Sequence, residues 1–574
     1  MKENIKKIND VRRLYDEYQS HERNSISRPR DPQVKSVIVF PNYYNTAMSN
    51  LGFLRVYELI NDSGFISADR AFLQDDISRG IISLEERKRI SGYDIIFFSL
   101  SYENDFYNIL KILESDGIPF LSRDRDESFP ILVAGGVITF LNPEPVADIF
   151  DLFFVGEGEE ILPDFFEHIS KYYASGLAKN KREIIYNAGK IGGIYAPSHY
   201  EFVFNDKNVL KEINPEPGFP QKIKRRWAPA RSSFSSSVIT TKFSDLKDIK
   251  MIEVARGCKR GCRFCGAGYI YLPLRESNPE SVLSSIKAMD KGEKAGFVGF
   301  DTLDNKNIRN FMDFSINTDK SFSLSSIRLD CIDEKNLDLI KKAGLKTITL
   351  GIETGSPRLK KLINKDIDNE EILSVTNDII SKGILNIKAY FMIGLPYEEA
   401  RDLDETIRLV KLMQKKFVSS SKINKRIGNL TIAFSPFVPK PWTPLQWENF
   451  EGRNTLERKI RYISREIKSL PNITIKINSV RDAYAEAFLA RGSRLSLKIL
   501  VNSYLSKTGI DKTASSLGLD IKNFIRRFDP REILPWDIID QGITKKYLIK
   551  EYKKGLEFKI TPQCFEGCKR CGIC

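Results

Sequence analysis

Seven of the eight cysteines fall in two clusters, and their spacing sets the chemistry open to them. Cys258, Cys262 and Cys265 share one glycine-rich stretch, while Cys564, Cys568, Cys571 and Cys574 share another; Cys331 stands alone. A disulfide framework scatters cysteines, whereas metal sites concentrate them, and a reducing compartment is implied. Three thiolates from one tight loop hold three corners of an iron–sulfur cube and leave its fourth iron open. The competing readings are a zinc knuckle, which needs a fourth Cys or His ligand that residues 240–290 do not supply, and three unrelated buried thiols. In the second cluster, Cys-x3-Cys-x2-Cys-x2-Cys, the consecutive short spacings favour a [4Fe-4S] cluster over zinc, with zinc left open.

These thiols need a scaffold. Residues 251–255 read as a strand, and Gly257, Gly261, Gly266 and Gly268 bend the next residues into a loop, so the first cluster lies beyond a strand's carboxyl end. Further strands are expected at 297–300, 323–329, 347–352, 387–393 and 430–434 with helices between. That alternation predicts a partial (β/α)6 TIM-type barrel over 248–450, its active site at the strands' carboxyl ends.

Upstream, strands at 36–40, 94–100, 130–134 and 152–155 alternate with helices at 50–60, 104–113 and 159–172. They predict an α/β, doubly wound, Rossmann-like domain over 35–172, which takes ligands beyond its carboxyl strand ends. An extension covers 1–34, a connector with a hairpin 173–247, a helical region 451–560 and the four-cysteine tail 561–574. Three or four domains suit 574 residues.

Hydrophobic content of 41% and aromatic content of 11% are those of a globular protein. Without a secretory signal or an apolar run of about 18 residues, a cytoplasmic protein without membrane contact is expected. The net charge of +14 is dispersed, and the basic run at 222–226 reads as a solvated linker face before an RNA contact.

The Cys-x3-Cys-x2-Cys spacing with Phe264 before the last cysteine resembles the signature of the radical S-adenosylmethionine (radical SAM) superfamily. The resemblance implies that SAM chelates the open iron and is reductively cleaved to a 5′-deoxyadenosyl radical, with electrons from a reductase or a flavodoxin- or ferredoxin-type donor. Ser323-Leu-Ser-Ser-Ile-Arg328, Gly351-Ile-Glu353 and Phe391-Met-Ile-Gly394 are similar to the family's SAM-contacting segments, which implies cofactor roles for Phe264, Ser323, Arg328, Glu353 and Gly394. Where the family carries Gly-Gly-Glu after the second strand, this chain has Val298-Gly-Phe-Asp301, and Asp301 is the substitute acceptor. Taken singly, Arg328 or Glu353 is an ordinary paired charge, and placement at a strand end is what favours function.

Asn45, Ser99, Gly135, Gly136, Gly156, Glu157 and Gly158 stand in segments that resemble the amino-terminal cobalamin-binding-type domain of radical SAM proteins. For any single glycine among them a tight turn is the plainer reading. The Asp-x-His-x-x-Gly element of cobalamin domains is missing, so the resemblance implies a cobalt without a protein histidine, or else a domain that only binds substrate.

Residues 437–447, with Trp442 and Trp447, resemble the sixth-strand exit of this subgroup; pocket lining and core packing are both open for the two tryptophans. With Leu534-Pro-Trp-Asp537 and the cysteine tail, the chain is similar almost throughout to one family of cobalamin-type radical SAM proteins. The implied activity is methyl transfer to an unactivated carbon or phosphorus of a small molecule, protein or RNA. Two alternatives stand beside it. A methylthiotransferase of RNA or protein holds an auxiliary cluster with amino-terminal cysteines, and none precedes Cys258; a non-catalytic iron–sulfur or RNA-binding protein is the other. Cys331 reads as a buried small hydrophobe.

Overall fold

The computed structural model describes residues 2–573 except 79, 177–179, 230–233, 326 and 423–424, with side chains from residue 10 onward. The chain divides into two compact units: residues 1–250 with 488–524 and 531–542, and residues 251–487 with 525–530 and 543–574. Residues 451–560, expected as one helical region, are therefore shared between both units. No helix among the described residues is long and apolar enough to cross a membrane.

In the first unit, β1 (Val34–Phe40), β2 (Ile66–Phe72), β3 (Ile95–Ser99), β4 (Ile131–Gly135), β5 (Leu152–Phe154) and β6 (Ile194–Tyr195) form one sheet in the order β2-β1-β3-β4-β5-β6. All neighbours are parallel except β5 and β6. Runs such as Ile95-Ile-Phe-Phe are apolar on both faces because helices Leu51–Asp62, Phe106–Asp116 and Gly158–Ala174 follow strands in a doubly wound sheet. The order reverses between β1 and β3, and that switch point opens a ligand crevice at the strands' carboxyl ends.

β2 is absent from the sequence expectation because Asp69 and Arg70 interrupt its apolar pattern, yet both are buried. Arg70 pairs with Glu22 at 2.8 Å and Glu85 at 2.7 Å, and Asp69 accepts from Ser83 and Tyr93. Charge pairing replaces apolar contact there.

The Asn142-Pro-Glu-Pro145 segment recruits the distant piece 488–524 to this unit. Asn142 donates to the carbonyls of Ala490 and Gly492 at 3.0 and 2.8 Å. Buried Glu144 accepts from Tyr195 at 2.6 Å and from Arg494 at 2.9 Å.

In the second unit, β7 (Ile249–Glu253), β8 (Lys294–Val298) and β9 (Ser321–Leu324) form a three-stranded sheet. β10 (Thr347–Glu353), β11 (Asn386–Ile393), β12 (Leu430–Pro436) and β13 (Ile473–Ile477) form a four-stranded parallel one. A parallel bridge between Ile327 and Leu350 joins the two, giving the expected open barrel. β13 extends it beyond the six strands expected, since Ile473-Thr-Ile-Lys-Ile alternates at period two within a stretch otherwise helical in pattern.

Candidate functional site

The three-cysteine loop leaves β7 and is clasped at its base by a two-residue antiparallel ladder, Ala255 with Glu276 and Arg256 with Arg275. Gly257 sits at φ +86°, where a β-carbon would lie 2.6 Å from the carbonyl oxygen of Tyr271, so glycine alone lets the loop start. Backbone bonds from Cys265 to Cys262 and from Gly268 to Cys265, each 3.1 Å, wind the second half of the loop into consecutive turns. Burial pushes the Cys258 thiol up to about 12 and the Cys265 thiol up to about 11. Metal binding must therefore displace protons from Cys258 and Cys265.

Around the loop the strand ends converge. Arg328, just past β9, places Nη1 3.8 Å from the sulfur of Cys262 and is held by Asp330 at 2.9 Å. Glu353, the last residue of β10, adopts φ +70°, a strained state for a residue with a β-carbon. Lys365 bonds Glu353 at 2.9 Å, and both charges act on Cys265. Gly351 lies beneath them, where a β-carbon would meet the Glu353 carboxylate at 2.7 Å and the Lys365 amine at 2.9 Å, the ends of two flexible side chains that can shift.

The other expected residues occupy varied settings. Phe264 is half-buried in the loop. Ser323 lies within β9, its hydroxyl 3.5 Å from the carbonyl of Ala295. Gly394, past β11 at φ +81°, faces Leu456 and Glu451 of its own unit. Asp301 is taken up by Arg260, which bonds Asp301 at 2.8 Å, Asp330 at 2.9 Å and the sulfur of Cys331 at 3.0 Å. Cys331 is thus part of a charged knot rather than an apolar pocket, and the Arg260 guanidinium already supplies the cation among Asp301, Asp304 and Cys331. Trp442 and Trp447 are both buried, the latter against Tyr552.

The last cysteines belong to the same unit as the loop. Cys568 and Cys571 are buried and Cys564 half-buried; Cys574 lies outside the described residues. Arg263, fully buried inside the cysteine loop, donates to the carbonyls of Lys361 and Lys559, each at 2.8 Å, and reaches Glu551 at 3.2 Å. Sequence reasoning missed Arg263, Arg260 and Lys365; the two arginines carried a signal, each lying between two of the loop cysteines.

At the first unit's switch point, Ser99 and Gly135 pair across β3 and β4, and a β-carbon on Gly135 would meet open space. Gly136, at φ +102°, packs on the backbone of Leu100, and exposed Asn45 donates to Asp245 at 2.6 Å. The Gly156–Gly158 segment is filled by the chain itself. A β-carbon on Gly156 would lie 2.1 Å from the carbonyl oxygen of Arg226, Glu157 accepts from the Ala228 amide at 2.8 Å, and Gly158 packs on Leu162 and Val56. None of the three histidines serves the crevice: His21, His168 and His199 bond Glu17, Ile184 and Glu216.

Asp105 beside the crevice is buried, and that burial pushes its carboxyl up to about 6 against the hydrogen bond from Asn42. A carboxyl raised on folding stabilises below its unfolded value near pH 4, and that contribution is lost as the pH rises through about 6. Asp105→Asn is expected to raise thermal stability at pH 7.5 by up to about 2 kcal/mol and to flatten the melting temperature between pH 4 and 6. Melting curves across that range check it.

Two family models match the chain: radical SAM proteins, N-terminal, over residues 52–197, and the radical SAM superfamily over residues 252–410. An uncharacterized protein of Methanocaldococcus jannaschii is 28% identical over 466 residues, covering 80% of this chain and 89% of its own. The anaerobic magnesium-protoporphyrin IX monomethyl ester cyclase of Rubrivivax gelatinosus is 27% identical over 172 residues, 29% of this chain and 31% of its own. Among solved structures, the radical SAM methyltransferase TsrM from Kitasatospora setae, with cobalamin and a [4Fe-4S] cluster bound, superposes with a TM-score of 0.46 at 13% identity over 72% of this chain and 77% of its own.

Proposed function

The chain belongs to the radical SAM superfamily, and from that premise we propose that Cys258, Cys262 and Cys265 hold a [4Fe-4S] cluster at which SAM is reductively cleaved. The observation that carries this is the convergence of three sulfurs from one loop with a cation, Arg328, and a strained carboxylate, Glu353, at the carboxyl ends of barrel strands. When bound, the cluster supplies the electron that breaks a sulfonium carbon–sulfur bond. The protein's part is to orient and to exclude water. Arg328 offers a guanidinium to the carboxylate of SAM, and Glu353, held in place by its bond from Lys365, accepts from its amino group or ribose. Phe264, Ser323 and Gly394 complete the expected SAM contacts.

Glu353→Gln removes a charged acceptor, so SAM is expected to bind about tenfold to a hundredfold more weakly while the cluster's absorbance stays. Equilibrium binding of SAM to the reconstituted variant reads this directly. Wild-type affinity in the variant contradicts the role given to Glu353.

For the first unit we propose a cobalamin site in the β1/β3 crevice, which makes the enzyme a methyltransferase. Support comes from the strand order and from the open ends at Ser99 and Gly135, with Asn45 and Gly136 nearby. Gly156, Glu157 and Gly158 do not fit a direct contact, since Arg226 and Ala228 occupy them. With no histidine in the crevice, the chain offers the cobalt no imidazole ligand. Gly135→Ala fills open space and should leave the fold unchanged while lowering cobalamin affinity; Gly156→Ala should destabilise the unit by a few kcal/mol through its clash. Cobalamin retention by the two variants after anaerobic gel filtration tests the site, and equal retention by Gly135→Ala and wild type contradicts it. The substrate class and the reductase, flavodoxin or ferredoxin donor belong to the same proposal.

A further inference from the structure

Arg260 ties the cysteine loop to the ends of two barrel strands. From its place between Cys258 and Cys262 the nearly buried side chain reaches acceptors past β8 and β9. Nε donates to Asp301 and Nη1 to Asp330, while Nη2 lies 3.0 Å from the sulfur of Cys331 and 3.2 Å from Asp304. Every nitrogen of the guanidinium is therefore engaged. The neighbouring Lys259 adds a second tie, 2.6 Å from Asp304.

Asp330 joins Arg260 to Arg328. One carboxylate oxygen accepts from Nη1 of Arg260 at 2.9 Å and from Nη2 of Arg328 at 3.2 Å, and the other accepts from Nε of Arg328 at 2.9 Å. A carboxylate that grips Nε and Nη2 together fixes the plane of a guanidinium as well as its place. The edge left over carries Nη1, which faces the sulfur of Cys262. Asp330 is itself held. The turn Leu329–Cys331 closes with a bond from the Cys331 amide to the Arg328 carbonyl at 3.2 Å, and Asn336 donates to the Cys331 carbonyl at 2.9 Å. Two guanidinium groups on one oxygen repel each other, and Asp301, 2.8 Å from Arg260 and 4.0 Å from Arg328, supplies the second negative charge that balances them.

We propose that Arg260 and Asp330 are positioning residues that aim the outer edge of Arg328 at the carboxylate of SAM, and that Asp301 anchors Arg260 rather than touching SAM. This rests on the reading of Arg328 given above. The side chains of Asp301 and Arg260 are 7% and 6% exposed, so turning Asp301 toward the amino group of SAM would leave a nearly buried guanidinium short of a counter-charge. Glu353 is then the carboxylate that receives that amine. An arginine pinned on two nitrogens has little rotamer freedom left to lose when SAM arrives, and its contact is stronger for it. Because Arg260 belongs to the loop, the same frame makes the aim of Arg328 depend on the loop's own fold.

The test measures equilibrium binding of SAM and of decarboxylated SAM, which keeps the sulfonium, the amine and the adenosine. It uses the full chain, reconstituted without oxygen and held without reductant. Asp330→Asn keeps the size of the side chain but cannot accept from both arginine nitrogens. Its dissociation constant for SAM should rise about threefold to tenfold, and that for decarboxylated SAM by less than about twofold. Asp301→Asn and Arg260→Met should show the same split, and if Arg260→Met fails to take up iron the two aspartate variants decide. In an Arg328→Met background Asp330→Asn should change SAM affinity by less than about twofold, since the group it aims is gone. Equal losses for both ligands in Asp330→Asn, or an undiminished loss in the Arg328→Met background, overturn the positioning role. A loss of about tenfold for both ligands in Asp301→Asn shows a direct contact to the amine and overturns the anchoring role. If Arg328→Met weakens SAM and decarboxylated SAM alike, the reading of Arg328 itself falls instead.

Discussion

Cys258→Ala is expected to abolish SAM cleavage, lowering 5′-deoxyadenosine formation by about a thousandfold or more with dithionite as reductant. Three sulfurs are the least that can hold a cube with one open corner, so removing one leaves two irons without protein ligands. Nothing nearby replaces it: Cys331 is bonded to Arg260, and the tail's sulfurs belong to their own turn. The loop itself should survive, because its base is clasped by the ladder of residues 255–256 with 275–276 and its start depends on Gly257 rather than on a ligand. Cys262→Ala and Cys265→Ala should behave alike. Iron analysis paired with product quantification separates this from unfolding, and a variant that keeps both full iron and full turnover contradicts the assignment.

Arg263→Leu should produce the largest loss of stability outside the ligands. The guanidinium is fully buried and donates to the carbonyls of Lys361, Leu362 and Lys559, to Thr561 and to Glu551. Its removal leaves the carbonyls of Leu362 and Lys559 without this donor and takes one cation from Glu551, which keeps Lys554 and Thr561, at a cost of about 2–4 kcal/mol. Spread over the second unit alone, whose unfolding entropy is about 0.6 kcal/mol/K, that corresponds to roughly 3–7 °C in melting temperature. Arg263→Lys should recover little, since an ammonium cannot match several acceptors at once. Thermal melts of the apo protein measure the effect without any cluster. A change under about 2 °C shows that the contacts contribute no net stability.

Much of this was legible in the sequence where the physics is local. Apolar runs such as Ile95-Ile-Phe-Phe announce buried parallel strands, and the cysteine spacing announces the loop, because both depend on neighbours in the chain. β2 was hidden because Asp69 and Arg70 read as surface charges until Glu22, Glu85 and Tyr93 arrive from other segments to pair them. β13 was hidden because five alternating residues are too few to stand out between helices. At the site, Glu353 and Arg328 could be singled out by strand-end position, but their supports Lys365 and Asp330 emerge only from the folded geometry. Gly156 carried a second meaning that its sequence context hid, since its close approach to the backbone of Arg226 requires a glycine. The union of loop and tail was likewise invisible, since Lys259 and Cys564 meet only after the barrel has closed.

The most direct measurement takes wild-type chain, reconstituted with iron and sulfide under nitrogen, adds SAM and dithionite, and counts the nucleoside released. The account predicts 5′-deoxyadenosine and methionine in equal amounts, rising with time and absent without reductant. Intact SAM beside a fully loaded, reduced cluster would contradict it.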